Sequence, residues 1–196
     1  MRRTRLLLAA CTSALAMSLS APLGASASPG ASVEPSDRDA ARALLEDILK
    51  IRTAKGYGQT PAQAELLAER LRAAGFTDDQ IDIPTTMIDG EEVASLVVRY
   101  PGDGSSSQPP IALIAHMDVV DASTESWATD PYDPVEKDGY LYARGSVDNK
   151  AGVALLTSTF IRLKEDGFVP DRDLVIAFSA DEETGMKTTR MLTHHP

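Results

Sequence analysis

Two kinds of hydrophobic pattern alternate along the chain. Between residues 36 and 52 apolar positions recur at helical spacing, with Leu44, Leu45, Ile48 and Leu49 on one side, which predicts an amphipathic helix. Ser36 followed by Asp39 offers a capping box for its start. Thr60-Pro61 followed by Gln63 predicts a second helix, and Gly75 its end. A third is expected over 151–164, where Val153, Leu156, Phe160 and Leu163 share a face. Residues 93–100 are β-branched enough for a strand, 140–143 suit a short one, and 102–110 form a loop marked by Gly, Ser and Pro. The segments 111–115 and 173–179 are nearly continuous apolar runs, expected to be strands buried on both faces. Helices alternating with such strands predict an α/β layered domain, with a mostly parallel central sheet flanked by helices.

The first residues read as an address. Arg2, Arg3 and Arg5 precede a mostly apolar stretch from Leu6 to Leu19, and Ala25-Ser26-Ala27 has the small-x-small form of a cleavage site. A signal peptide over 1–27 is therefore expected, giving a secreted or periplasmic protein. A membrane anchor needs a longer apolar run, about 20 residues. Lipidation at Cys11, after Leu8-Ala9-Ala10, is the lesser alternative because so little apolar segment precedes it. Residues 28–35, rich in Ser, Pro, Gly and Ala, read as a disordered leader to a domain over 36–196. Cleavage removes three arginines and no acid, moving the formal charge from −10 to −13, and leaves no cysteine to form a disulfide. That acidic balance argues against nucleic acid or an anionic membrane as partner.

Polar residues fall where chemistry can use them. His116 and Asp118 follow the 111–115 strand, Asp181, Glu182 and Glu183 follow the 173–179 strand, and Asp148 precedes the 151–164 helix. Carboxyl ends of strands in an open α/β sheet form the binding crevice, so these groups can converge. Several carboxylates brought together destabilise one another unless a cation is present. One imidazole with carboxylates suits zinc, and tolerates cobalt or manganese. Taken alone, Asp-Glu-Glu reads as an acidic surface turn, Asp148 as a helix cap and His116 as a core histidine.

The sequence resembles the M20 metallopeptidases, the family of carboxypeptidase G2-like enzymes, dipeptidases and amino-acid deacylases. The matching stretches are Ala115–Val120, Trp127–Tyr132, Asp138–Gly145, Val147–Gly152 and Asp181–Gly185, in that order. The resemblance covers roughly residues 37–196, as the N-terminal part of an M20-type catalytic domain. It implies a two-zinc hydrolase of peptide or amide bonds, with small peptides or acylated amino acids as substrates. His116 and Glu183 would each bind one zinc and Asp148 would bridge them, with a cis peptide to Asn149. The catalytic residues would be Glu182 and Asp118. Glu182 would be the general base, passing a proton from water to the leaving nitrogen. Asp118 would accept from the far imidazole nitrogen and fix its tautomer. The cap and ligand roles of Asp148 are compatible with each other. Trp127, Pro131 and Tyr132 are expected to shape the loop before Asp148, with Lys150 and Arg144 as scaffold.

The family pattern also needs a later acidic ligand, a late histidine and a lid or dimerisation domain, which leaves a homodimer as a property of the full-length enzyme. A helix after Gly185 would carry His194 and His195 about 16 Å from Glu183, so neither is expected to substitute. The expectation is a fragment that binds metal weakly and hydrolyses little. Two alternatives stand beside it: an M28-type aminopeptidase, which shares the ligand order, and a vestigial metal-binding domain without catalysis.

Overall fold

The structure is a computed structural model, and it describes residues 34–195. The signal segment, Cys11 and most of the expected leader lie outside the described residues. Helix α1 runs Pro35–Leu49, so the last leader position is already helical. Its cap residue is Glu34, with proline in the first turn and no side-chain cap bond. The expected Ser36–Asp39 box is therefore not used. Proline, which has no N–H to satisfy and a preset φ, starts the helix instead. Leu44, Ile48 and Leu49 are buried, with Leu45 partly so.

Helix α2 spans Thr60–Ala73 and ends before Gly75, whose φ of 98° only glycine adopts freely. Four short strands follow: β1 (Ile81–Asp82), β2 (Thr85–Ile88), β3 (Glu91–Ala94) and β4 (Leu96–Tyr100). The expected 93–100 strand is thus divided. β3 pairs with β2 in a hairpin, and the chain changes sheets at Ser95, whose N–H donates to Pro84 O. Asp89-Gly90 closes that hairpin with φ values of 52° and 86°, the pair of positive angles a two-residue turn demands.

Next come β5 (Ile111–His116), the hairpin β6 (Val135–Lys137) and β7 (Tyr140–Tyr142), helix α3 (Lys150–Glu165), β8 (Leu174–Ser179) and helix α4 (Lys187–Leu192). The main sheet has the order β1-β4-β8-β5. Only β5 and β8 run parallel; β4 pairs antiparallel with both β8 and β1. The α/β layering is as expected, but the sheet is mixed rather than mostly parallel. The reason is local: β4 reaches β8's other side from an N-terminal hairpin, not through a helical crossover.

β8 is central, as its apolar run implies. β5 is not, contrary to expectation. It lies at the sheet edge, and Ile114 is 76% exposed. A continuous apolar run records affinity for burial, not the number of neighbours a strand has. On the covered side α1 packs on α3, α3 on β5, and α2 on α3 and β3. Phe76, Tyr100 and Phe160 meet there with ring centroids 5.3–6.2 Å apart.

The first residue of α3 ties this layer to the rim of the sheet. Lys150 is fully buried, and its Nζ donates to Ile48 O at 2.7 Å and to Ile51 O, at the end of α1. Free carbonyls at a helix end receive a cation's hydrogens well. Burial lowers the Lys150 ammonium from its ordinary 10.5 to about 7. Between those values the unfolded chain holds a proton that the folded chain has released, so stability rises with pH across that window. Urea unfolding of the protein and of Lys150→Met at pH 7 and pH 9.5 checks this. The unsubstituted chain should gain stability relative to the variant; an unchanged difference contradicts it.

Candidate metal centre

Parallel pairing sets the site. Register aligns Ile111 with Leu174 and His116 with Ser179, so β5 and β8 finish at the same rim. Met117 N–H donating to Ser179 O at 2.8 Å extends the ladder one step. His116 ends β5, and Glu182 and Glu183 follow shortly after the end of β8. Asp148 arrives from a long loop. Tyr132 Oη donates to Asp121, Arg52 stacks on Tyr132 at 4.8 Å, and Arg144 N–H donates to Pro131 O. Arg144 also lies over Trp127 at 5.7 Å. These contacts are structural, as expected for Trp127, Pro131, Tyr132 and Arg144. Gly145 turns the chain with φ 84°, where a Cβ would come within 2.7 Å of Val119. The Asp148–Asn149 peptide is cis.

The side chains then meet. His116, Asp148 and Glu183 each offer a ligand atom, all within 4.8 Å of one another. His116 Nε2 lies 3.0 Å from Asp148 Oδ1 and 3.9 Å from Glu182 Oε2. The imidazole is buried, whereas the Asp148 side chain is 75% exposed. Asn149, not Asp148, occupies the capping position of α3, and no side-chain cap bond forms there. The carboxylate of Asp148 is thus left to the cluster.

Asp118 differs from expectation in its contacts. His116 Nδ1 bonds the main-chain oxygen of Asp118 at 3.0 Å, while the nearer carboxylate oxygen stands at 3.5 Å. The carboxylate instead accepts from Glu182 N–H and Glu183 N–H, both at 3.0 Å. The Asp118 side chain is buried.

Electrostatics at this rim favour a cation. Burial alone would lower the His116 pKa, yet the oxygens of Asp118 and Asp148 outweigh it and raise it to about 9. Burial raises the Glu183 carboxyl, Asp148, Glu182 and Asp118 push the same way, and His116 opposes them. This pull on positive charge is one that a metal ion held by the same residues would satisfy. An imidazole nitrogen facing carboxylate oxygens at this spacing is a donor set that divalent zinc fits.

His195 is not near this cluster. Its Nε2 lies 2.6 Å from Asp82 Oδ2, on the strand at the opposite edge of the sheet. A groove beside the site has no signal in the sequence. It has a volume of about 460 Å³ and runs from His116, Asn149 and Glu182 along Ile114 to Met186 and Leu192. Nothing in a single apolar run flags that β5 leaves this flank open.

Comparison with known proteins agrees with the geometry. Residues 112–195 match the model of peptidase family M20/M25/M40. A probable succinyl-diaminopimelate desuccinylase of Staphylococcus aureus is 36% identical over 115 residues, 58% of this chain and 28% of that protein. Aminoacylase-1 of Mus musculus is 30% identical over 153 residues, 78% of this chain and 36% of that protein. The chain therefore spans about a third of the length of these curated relatives. Among solved structures, the di-peptidase Dug1p of Saccharomyces cerevisiae superposes with a TM-score of 0.67 at 20% identity, covering 80% of this chain and 35% of that one. The segment that matches this family, 112–195, holds His116, Asp148, Glu182 and Glu183, so every member of the cluster lies in the part of the chain that is similar to peptidase family M20/M25/M40.

Proposed function

We propose that this chain supplies metal-binding residues of a hydrolase for amide bonds, acting on small peptides or N-acylated amino acids. The observation that carries the reading is the meeting of His116, Asp148 and Glu183 at one rim of the sheet, with Glu182 beside them. Two zinc ions are the proposed cofactors, which His116, Asp148 and Glu183 would hold. Bound there, zinc would act as a Lewis acid toward the scissile carbonyl and toward water.

The chain's own residues do the rest. Glu182 is half-exposed, and its carboxylate lies 3.9 Å from the imidazole, within reach of a water held at the cluster. It takes the proton from the attacking water and returns it to the departing nitrogen. His116 orients the site through Nε2, its tautomer set by Nδ1 donating to Asp118 O. The groove along Ile114 offers an apolar flank to a substrate side chain or acyl group. Three side chains leave coordination positions open for water, substrate or further polypeptide. The likeness to a desuccinylase and an aminoacylase supports an amide of an acylated amino acid; the likeness to a di-peptidase supports a peptide. Export follows from the Arg2–Ala27 segment under the same proposal.

Two outcomes test the reading. Zinc must displace the imidazole proton, so affinity should rise by about tenfold per pH unit up to about pH 9 and level off above it. Isothermal titration between pH 6 and pH 9.5 measures this, and His116→Ala should remove the slope; a pH-independent affinity contradicts it. Separately, Glu182→Gln should retain zinc while turnover of dipeptides and N-acylated amino acids falls by about 10²–10⁴. Equal turnover in the variant would remove Glu182 from the chemistry.

A further inference from the structure

The turn bearing the two glutamates has to be held against its own charge. Asp148, Glu182 and Glu183 gather on one side, and like charges drive such a turn outward. Beyond residue 181 the turn has its own framework. Asp181 O accepts from the N–H groups of Thr184, Gly185 and Met186, and its carboxylate accepts from the N–H groups of Lys187 and Thr188. None of those bonds engages Glu182 or Glu183. Their two N–H groups go to Asp118, one to each carboxylate oxygen at 3.0 Å.

We propose that Asp118 is a positioning residue for the glutamate pair: its carboxylate clamps the two successive main-chain amides that aim Glu182 and Glu183 at the cluster. The proposal deepens the hydrolase reading and rests on it for the roles of those glutamates. It is separate from the carboxylate's ion pair with the ring, 3.5 Å away: His116 Nδ1 makes its hydrogen bond to the Asp118 main chain, and the carboxylate accepts both of its hydrogen bonds from the turn. A carboxylate is well suited to hold two amides, having two acceptor oxygens and no donor. Bonds from backbone amides to an ionised group are among the stronger ones. The side chain is buried on a strand extension, so it gives the turn a reference fixed to β5. One residue thereby sets the distance between the imidazole end of the cluster and its glutamate end.

Asparagine tests the clamp at nearly constant size. It keeps one acceptor oxygen and turns an NH₂ donor toward the other amide, so one of the two bonds is lost. Backbone hydrogen exchange of the metal-free chain, read by NMR, should show Glu182 or Glu183 N–H exchanging about tenfold faster or more in Asp118→Asn. The amides of Leu174–Ser179 should keep their protection. In His116→Ala both glutamate amides should remain protected, since the clamp does not pass through the ring. Zinc affinity of Asp118→Asn should fall by about 10–100-fold. Unchanged exchange at both glutamates in Asp118→Asn overturns the proposal, as does equal loss of protection in His116→Ala. If Asp118→Asn does not fold, the unsubstituted chain decides: slowly exchanging, downfield Glu182 and Glu183 protons support the clamp, and fast exchange refutes it. A chain that binds no zinc would sink the hydrolase reading, while the exchange data would still judge the clamp.

Discussion

The site depends on the parallel ladder between β5 and β8. Six aligned pairs, from Ile111–Leu174 to His116–Ser179, oblige two strands far apart in sequence to end together. A histidine placed at the end of one strand and a glutamate pair just past the end of the other then face the same solvent rim. Antiparallel pairing of these two strands would have sent those side chains to opposite ends of the sheet. The parallel arrangement needs a crossover, and α3 with its preceding loop provides one, bringing Asp148 to the rim on the way.

What the ladder gathers, electrostatics resists. Three carboxylates and an imidazole occupy a small space: burial and the neighbouring acids raise the Glu183 carboxyl, while the raised His116 pKa records the pull of those acids on a positive charge. Hydrogen bonds behind the cluster hold its backbone in place. Asp118 receives two amides of the glutamate turn, and Lys150 anchors the start of α3 to the carbonyls ending α1. A cation at the cluster would relieve the repulsion that these fixed contacts only contain.

Much of this is legible in the amino-acid sequence. The helices over 36–52, 60–75 and 151–164 announce themselves through apolar spacing, and the acidic triplet after a buried run marks the end of β8. His116, Asp148 and Glu183 stand out by residue type and place in the chain. What is not legible depends on neighbours that a sequence pattern does not contain. Ile111–Ala115 has the composition of an interior strand yet sits at an edge, because burial affinity does not count partners. Residues 93–100 look like one strand, but Ser95 divides them between two sheets. The turn pairs Asp89-Gly90 and Asp138-Gly139, both with positive φ, are hairpin signals that the apolar pattern alone overlooks. The carboxylate of Asp118 accepts the glutamate amides as well as facing the ring, because the turn after β8 falls within its reach.

The central claim is that His116, Asp148 and Glu183 take up metal together. X-ray absorption at the zinc edge of the zinc-loaded chain addresses it most directly. The expected spectrum has a shell of nitrogen and oxygen scatterers at about 2.0–2.2 Å, with the multiple-scattering signature of one imidazole that disappears in His116→Ala. A shell of water oxygens alone, with the same spectrum in that variant, would contradict it.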